Sequence, residues 1–118
     1  MQVTKLENIK KGSSYKNTVT FFEEDGSRKD VTGATLWWVL KDNIDDLDAA
    51  AIHKDSYSPY GDPTLGEFQV NLTPAQTAAF VPGKKFTGFV LLEASGEEWD
   101  FLDGDIILVE ERVLISAS

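Results

Sequence analysis

Thr32-Gly33-Ala34-Thr35-Leu36-Trp37-Trp38-Val39-Leu40-Lys41 is the stretch whose reading decides the fold. After Gly33 it runs through β-branched, aromatic and aliphatic residues and stops at a charge. Strand side chains alternate between faces, so Ala34, Leu36, Trp38 and Leu40 share one face while Thr35, Trp37, Val39 and Lys41 share the other. The first face is wholly apolar and the second is apolar at its centre. A strand with one wet face carries a polar row there. The pattern therefore predicts a central strand with cover on both sides.

Before this strand, Val3–Ile9 has mixed spacing and reads as a weak first strand or an arm laid along a neighbour. Tyr15–Glu23 alternates clearly, and Asp25-Gly26 after it is a hairpin signal, because glycine accepts positive φ without steric cost. Arg28–Val31 reads as a short return strand. Beyond Lys41, the stretch Asp42–Ala51 is acidic and then Ala-rich, as one or two helical turns or an acidic loop would be. Ser56–Leu65 holds two prolines and a glycine and is expected as an exposed loop. Gly66–Leu72 returns to alternation, with Phe68, Val70 and Leu72 inward. Thr73-Pro74-Ala75-Gln76 has the form of a helix start, with Thr73 as cap, Pro74 at the first helical position and Gln76 completing a capping box. The helix is expected to last about two turns and to end by Pro82-Gly83. Lys85–Ala94 is a strand with apolar residues on both faces, Glu98–Leu102 is short, and Asp105–Ser116 is the last. Seven or eight strands, one short helix and turns at this spacing predict an all-β fold, an antiparallel Ig-like β-sandwich. Residues 1–118 fit one domain.

Twenty acidic residues against eleven basic ones give a formal net charge of −9. That surface repels phosphate backbones, so no nucleic-acid partner is expected. There is no cysteine, which excludes disulfides, thiolate zinc sites and cysteine nucleophiles. The N-terminus lacks the basic segment and apolar run of a signal peptide, and no run approaches the length that spans a bilayer. The expectation is a chain made in the cytoplasm, with no membrane partner.

Candidate chemistry is thin. Asp42, Asp45, Asp46 and Asp48 could offer oxygens to Ca²⁺, but they depart from the alternating ligand pattern of an EF-hand loop, and a solvated acidic turn accounts for them. His53 is the only histidine, and there is no Gly-x-Ser-x-Gly elbow, so neither a zinc site nor a serine triad is supported. Acidic residues are numerous enough that no pair stands out as a glycosidase dyad. No catalytic residue, metal ligand or cofactor is expected.

The aromatics say more. Trp38, Phe68 and Phe86 read as core. Trp37, Tyr57, Tyr60, Phe89 and Trp99 are candidates for a binding surface, since aromatic anchors dominate interfaces. A two-layer sandwich buries one face of each sheet, yet the strands at Trp37–Val39, Phe86–Leu92 and Ile106–Val109 have apolar residues on both. One short helix cannot cover three strands, so the surplus face calls for a loop or another protein chain. The partner interface expected on this ground is Trp37, Val39, Phe89, Leu91, Tyr57, Tyr60 and Trp99.

The order of these signals resembles the small β-sandwich modules of tailed bacteriophages, similar to the N-terminal domain of baseplate upper proteins and related tail-associated proteins. The likeness lies in Asp30-Val31-Thr32-Gly33-Ala34-Thr35-Leu36, in the acidic, Ala-rich Asp45–Ile52, and in Gly66–Thr77 running from strand to Thr-capped helix. It extends to Pro82-Gly83 before a strand and Asp103-Gly104 before a long last one. The resemblance implies a non-enzymatic structural or docking protein of a virion, in the tail or baseplate, whose partners are copies of itself or other virion proteins. It brings no catalytic residues. Two other classes remain open from the residues. A carbohydrate-binding module would set Trp99, Tyr57 and Tyr60 on one exposed platform. A small hydrolase would need a cleft with perturbed carboxylates.

Overall fold

A computed structural model describes residues 2–43, 51–101 and 105–111. Nine strands are found among them: β1 (Gln2–Val3), β2 (Ile9–Lys10), β3 (Tyr15–Phe22), β4 (Thr35–Lys41), β5 (His53–Tyr57), β6 (Glu67–Leu72), β7 (Gly83–Leu92), β8 (Glu98–Asp100) and β9 (Asp105–Glu110). One sheet has the order β1-β3-β6; the other has the order β2-β9-β7-β4-β5, with β8 alongside β7. The two sheets pack around a single core, in an all-β sandwich. β1, β3 and β6 face β9-β7-β4 of the other sheet, the placement that strands A, B, E and G, F, C take in immunoglobulin-type sandwiches.

The antiparallel sandwich expected with seven or eight strands is found, and its nine described strands differ from that expectation in detail. β2 runs parallel to β9, pairing Ile9 with Val109. The N-terminal stretch expected as one weak strand is two dipeptide strands, because the chain leaves β3 after two pairs and crosses to the other sheet. Arg28–Val31 makes only one bridge, Phe22 to Arg28, and is not a strand. Ser56 and Tyr57, expected in an exposed loop, belong instead to β5: His53–Tyr57 pairs with β4 from Leu40 to Leu36. The remainder of the proline-containing loop ends in a 3₁₀ turn over Pro63–Leu65.

Helix α1 (Pro74–Ala78) forms as its start signal predicts. The Thr73 hydroxyl accepts from the Gln76 backbone N–H at 3.2 Å, and the Gln76 side chain accepts from the Thr73 N–H at 2.8 Å. It is shorter than two turns. Thr77 is buried and donates its hydroxyl proton to the Ser13 carbonyl at 2.8 Å, which ties the helix to the turn before β3.

Leu36, Trp38 and Leu40 of β4 are fully buried, opposite Val19, Phe21, Phe68 and Val70 from the smaller sheet. The indole N–H of Trp38 donates to the Thr87 hydroxyl at 2.8 Å, so the largest core side chain has its polar atom satisfied inside. Tyr15 stacks on the same indole with ring centroids 6.0 Å apart, and His53 meets its edge at 5.2 Å.

Candidate docking surface

Strand register decides which residues share a face. Directly paired residues project to the same side. Leu36 pairs with Leu91 and Trp38 with Phe89, so Phe89 and Leu91 point into the core and are buried. They cannot contact a partner, and their place in the expected interface is corrected. Phe86, expected in the core, lies on the outward face with Lys41 and Ile106, and Phe89, expected at the surface, faces inward: which apolar face of β7 matches Trp38 is set by a register that no sequence pattern specified.

The outer face of the larger sheet is made by the other set. Trp37 pairs with Val90, Val39 with Gly88 and Lys41 with Phe86. On the far side of β7, Phe86 pairs with Ile106 and Lys84 with Leu108. Trp37 is 37% exposed, Ile106 55% and Leu108 38%; Phe86, Val90 and Leu92 are partly exposed between them. Val39 sits on this face too, but it is almost fully covered. The result is an apolar stripe from Trp37 and Leu92 at one end to Ile106 and Leu108 at the other. Ile106 and Leu108 are members that the list of seven omitted. The doubly apolar run Ile106–Val109 was the signal that could have placed them there.

Charge flanks the stripe unequally. Lys54 pairs with Val39, so Lys54, Lys41 and Lys84 lie along one side. The Lys54 ammonium is 5.6 Å from the centre of the Trp37 ring, a cation–π contact. On the other side Asp100 pairs with Val90 and Glu98 with Leu92. Both are exposed.

The remaining aromatics do not join this face. Trp99 pairs with Leu91, and Tyr57 pairs with Leu36, so the two occupy opposite ends of one core-facing row, Trp99–Leu91–Leu36–Tyr57. Three strand spacings separate them, about 14 Å. Tyr57 is half-buried and its hydroxyl donates to the Asn71 carbonyl at 3.2 Å, linking the two sheets; burial first, and the nearby Asp55 carboxylate after it, push its pKa up to about 12. Tyr60 is exposed at the edge of the smaller sheet, its N–H bonded to the Glu67 carbonyl. Trp99, Tyr57 and Tyr60 thus do not form one platform.

Trp99 instead belongs to an ion cluster around buried Lys29 at one end of the sandwich. Its indole N–H donates to Glu93 at 2.6 Å, and Glu93 pairs with Lys29 at 2.8 Å, which also reaches Glu23 at 3.4 Å. Lys29 is buried. Desolvation pulls its pKa down, but the hydrogen bond and charge of Glu93, with those of Glu23, outweigh this and raise it. The hydrogen bonds from Lys29 and Trp99 hold the Glu93 carboxyl below its usual range. A second buried cation, Lys85, pairs with Asp42 at 2.7 Å. Neither pair was foreseen, because nothing in a sequence marks which lysine faces inward. Of the acidic residues weighed as calcium ligands and read as a solvated turn, Asp45, Asp46 and Asp48 lie outside the described residues, and Asp42 is bound to Lys85.

His53 is set against Trp38, and its Nε2 is buried without a hydrogen bond among the described residues. Desolvation lowers its pKa, against a smaller upward pull from Asp55. Asp25, Asp30 and Asp62 each accept from the backbone N–H and hydroxyl of the Ser or Thr two positions on. These local bonds lower all three pKa values and fix turns. Asp30 and Thr32 of the Asp-Val-Thr-Gly-Ala segment are one such pair, so that segment shapes the lead-in to β4. No protein-family model matches this chain, and no curated protein matches it.

Proposed function

We propose that this chain is a non-enzymatic structural protein of a phage particle, a tail or baseplate accessory or adaptor, that docks through the outer face of its larger sheet. The observation that carries the docking reading is the stripe Trp37, Phe86, Val90, Leu92, Ile106 and Leu108, left partly open to solvent on a sheet whose other face already builds the core. Contiguous apolar surface of this kind, rimmed by charge, marks protein–protein contact sites. The placement in a virion rests on the resemblance of the Asp30–Leu36, Asp45–Ile52 and Gly66–Thr77 segments. The carbohydrate-binding alternative draws less support, since its three aromatics are dispersed.

The test is quantitative mass spectrometry of particles purified from cells that make the chain, beside the variants Ile106→Lys and Trp37→Ser. The wild type is expected in particles at a fixed stoichiometry. The variants are expected to keep the wild-type melting transition within a few degrees and to be lost from particles. Absence of the wild type from particles overturns the virion reading; undiminished incorporation of both variants overturns the docking face.

A further inference from the structure

We propose that the occupant of the outer sheet face is a second copy of this chain, in an isologous pair whose two-fold axis lies along the apolar stripe. The proposal rests on the docking reading above and names the partner for that face.

A face can pair with itself across an in-plane two-fold axis only if what lies on one side of the axis complements what lies on the other. The register supplies the positions. Strands lie about 4.8 Å apart, and successive outward residues along a strand are about 6.8 Å apart. On that grid Trp37, Val39, Leu92, Val90, Phe86, Ile106 and Leu108 define a stripe inclined about 15° to the strands. Rotation about that line crosses the strands of the two copies at about 30°, the angle at which twisted sheets pack face to face.

The same rotation matches the chemistry. Trp37 of each copy falls over Val90 of the other, and Ile106 over Phe86. Lys54 falls within about 5 Å, in projection, of Asp100 of the other copy. Glu98 meets Ser56, a hydroxyl it can accept from. Lys84 lies over Leu108 with its methylene stem. Each Lys54–Asp100 pair occurs twice, so the lysine flank of one copy covers the carboxylate flank of its mate along both sides of the stripe. Were the two flanks of like sign, no such axis would exist. The outward positions of the four strands at the stripe, about 33 Å² each, give a flat footprint of about 500 Å² before side-chain relief. That is of the same order as the roughly 800 Å² per partner of a stable interface.

The experiment is sedimentation equilibrium of the whole chain from micromolar to millimolar concentration, with Lys54→Glu, Asp100→Lys and an equimolar mixture of the two. The wild type is expected to approach twice the 13.1 kDa chain mass. Each single reversal sets like charges together at both ends of the contact and is expected to weaken the dimer by about tenfold or more. The mixture restores two opposite-charge pairs and is expected to form a heterodimer about as tight as the wild type. This rescue is one that a merely misfolded variant could not give. A strict monomer throughout, or a dimer indifferent to the reversals, overturns the proposal. Either result leaves the docking reading standing if Ile106→Lys is still lost from particles, and a dimer with the expected rescue stands even if the virion reading fails.

Discussion

The Trp38–Thr87 hydrogen bond offers a sharp test of how the core is specified. Both residues are buried, and the indole N–H has the Thr87 hydroxyl as its partner at 2.8 Å. Thr87→Val keeps the shape and the β-branching while removing the acceptor, so no cavity opens. Three terms then compete. The hydrogen bond itself is worth about 1 kcal/mol net, and stranding a buried donor costs about 1–3 kcal/mol. Against them, an extra methyl in an apolar site returns about 0.8 kcal/mol. The balance is a loss of about 1–3 kcal/mol, or a Tm lower by about 4–12 °C in a domain near this size. Urea unfolding should show the midpoint fall with the slope unchanged, as a change in stability rather than in compactness requires. In the double variant Trp38→Phe with Thr87→Val, the donor is gone as well, and the second substitution should then cost little. A neutral or stabilising Thr87→Val would refute the reasoning, because it would mean that the indole finds another acceptor or tolerates having none.

Gly66 has φ +72°, and a Cβ there would lie 2.7 Å from the carbonyl oxygens of both Phe21 and Lys29. Gly66→Ala should therefore cost about 3 kcal/mol or more by denaturant titration, combining a left-handed conformation with a backbone clash; Gly26→Ala, at φ +87° in open space, should cost only about 1–2 kcal/mol. Thr73→Ala removes the acceptor of the capping box and should lower stability by about 1 kcal/mol in the same assay. His53 has a folded-state pKa below its ordinary 6.5, so the unfolded chain binds its proton first as pH falls. Its contribution is complete above about pH 6.5 and is lost below that. In His53→Phe, thermal melts from pH 7.5 to 5.5 should lose this part of the acid slope, and an unchanged slope would sink the assignment.

The core was legible where strand periodicity met an unambiguous turn. Leu36, Trp38 and Leu40, with Phe68, Val70 and Leu72, were placed correctly because alternation alone assigns them to one face. The capping box of α1 was legible for a similar reason, since its partners are three residues apart. β5 was not, because His-Lys-Asp-Ser-Tyr has no apolar alternation; it is an edge strand held by its pairing with β4, and tertiary context overrides propensity there. The apolar excess of the outer face was also visible, but its membership was not. Phe89 and Val90 look alike in sequence, and one faces the core while the other faces out. Register between β4 and β7 makes that choice, and a slip of one residue would reverse it.

Charge supplies a last test of the self-paired face, because its short-range and long-range parts have opposite sign. Each chain carries a formal charge of −9, while the contact brings together only two Lys54–Asp100 pairs. Two sandwiches stacked face to face have centres about 20 Å apart. Treated as point charges in water, they repel by about 9 kcal/mol at 0.01 M salt and by about 1 kcal/mol at 0.15 M, because the Debye length shrinks from about 30 to about 8 Å. Partly exposed ion pairs return about 1 kcal/mol each at most and are screened far less at contact distance. The long-range repulsion therefore wins at low salt. Dimerisation should tighten by orders of magnitude as salt rises from 0.01 to 0.15 M, and then change little as the local pairs begin to weaken. Sedimentation equilibrium across that series measures it directly. A dimer that loosens steadily with salt over the same range would mean that opposite charges dominate the contact, and that surfaces other than two copies of this apolar stripe are being joined.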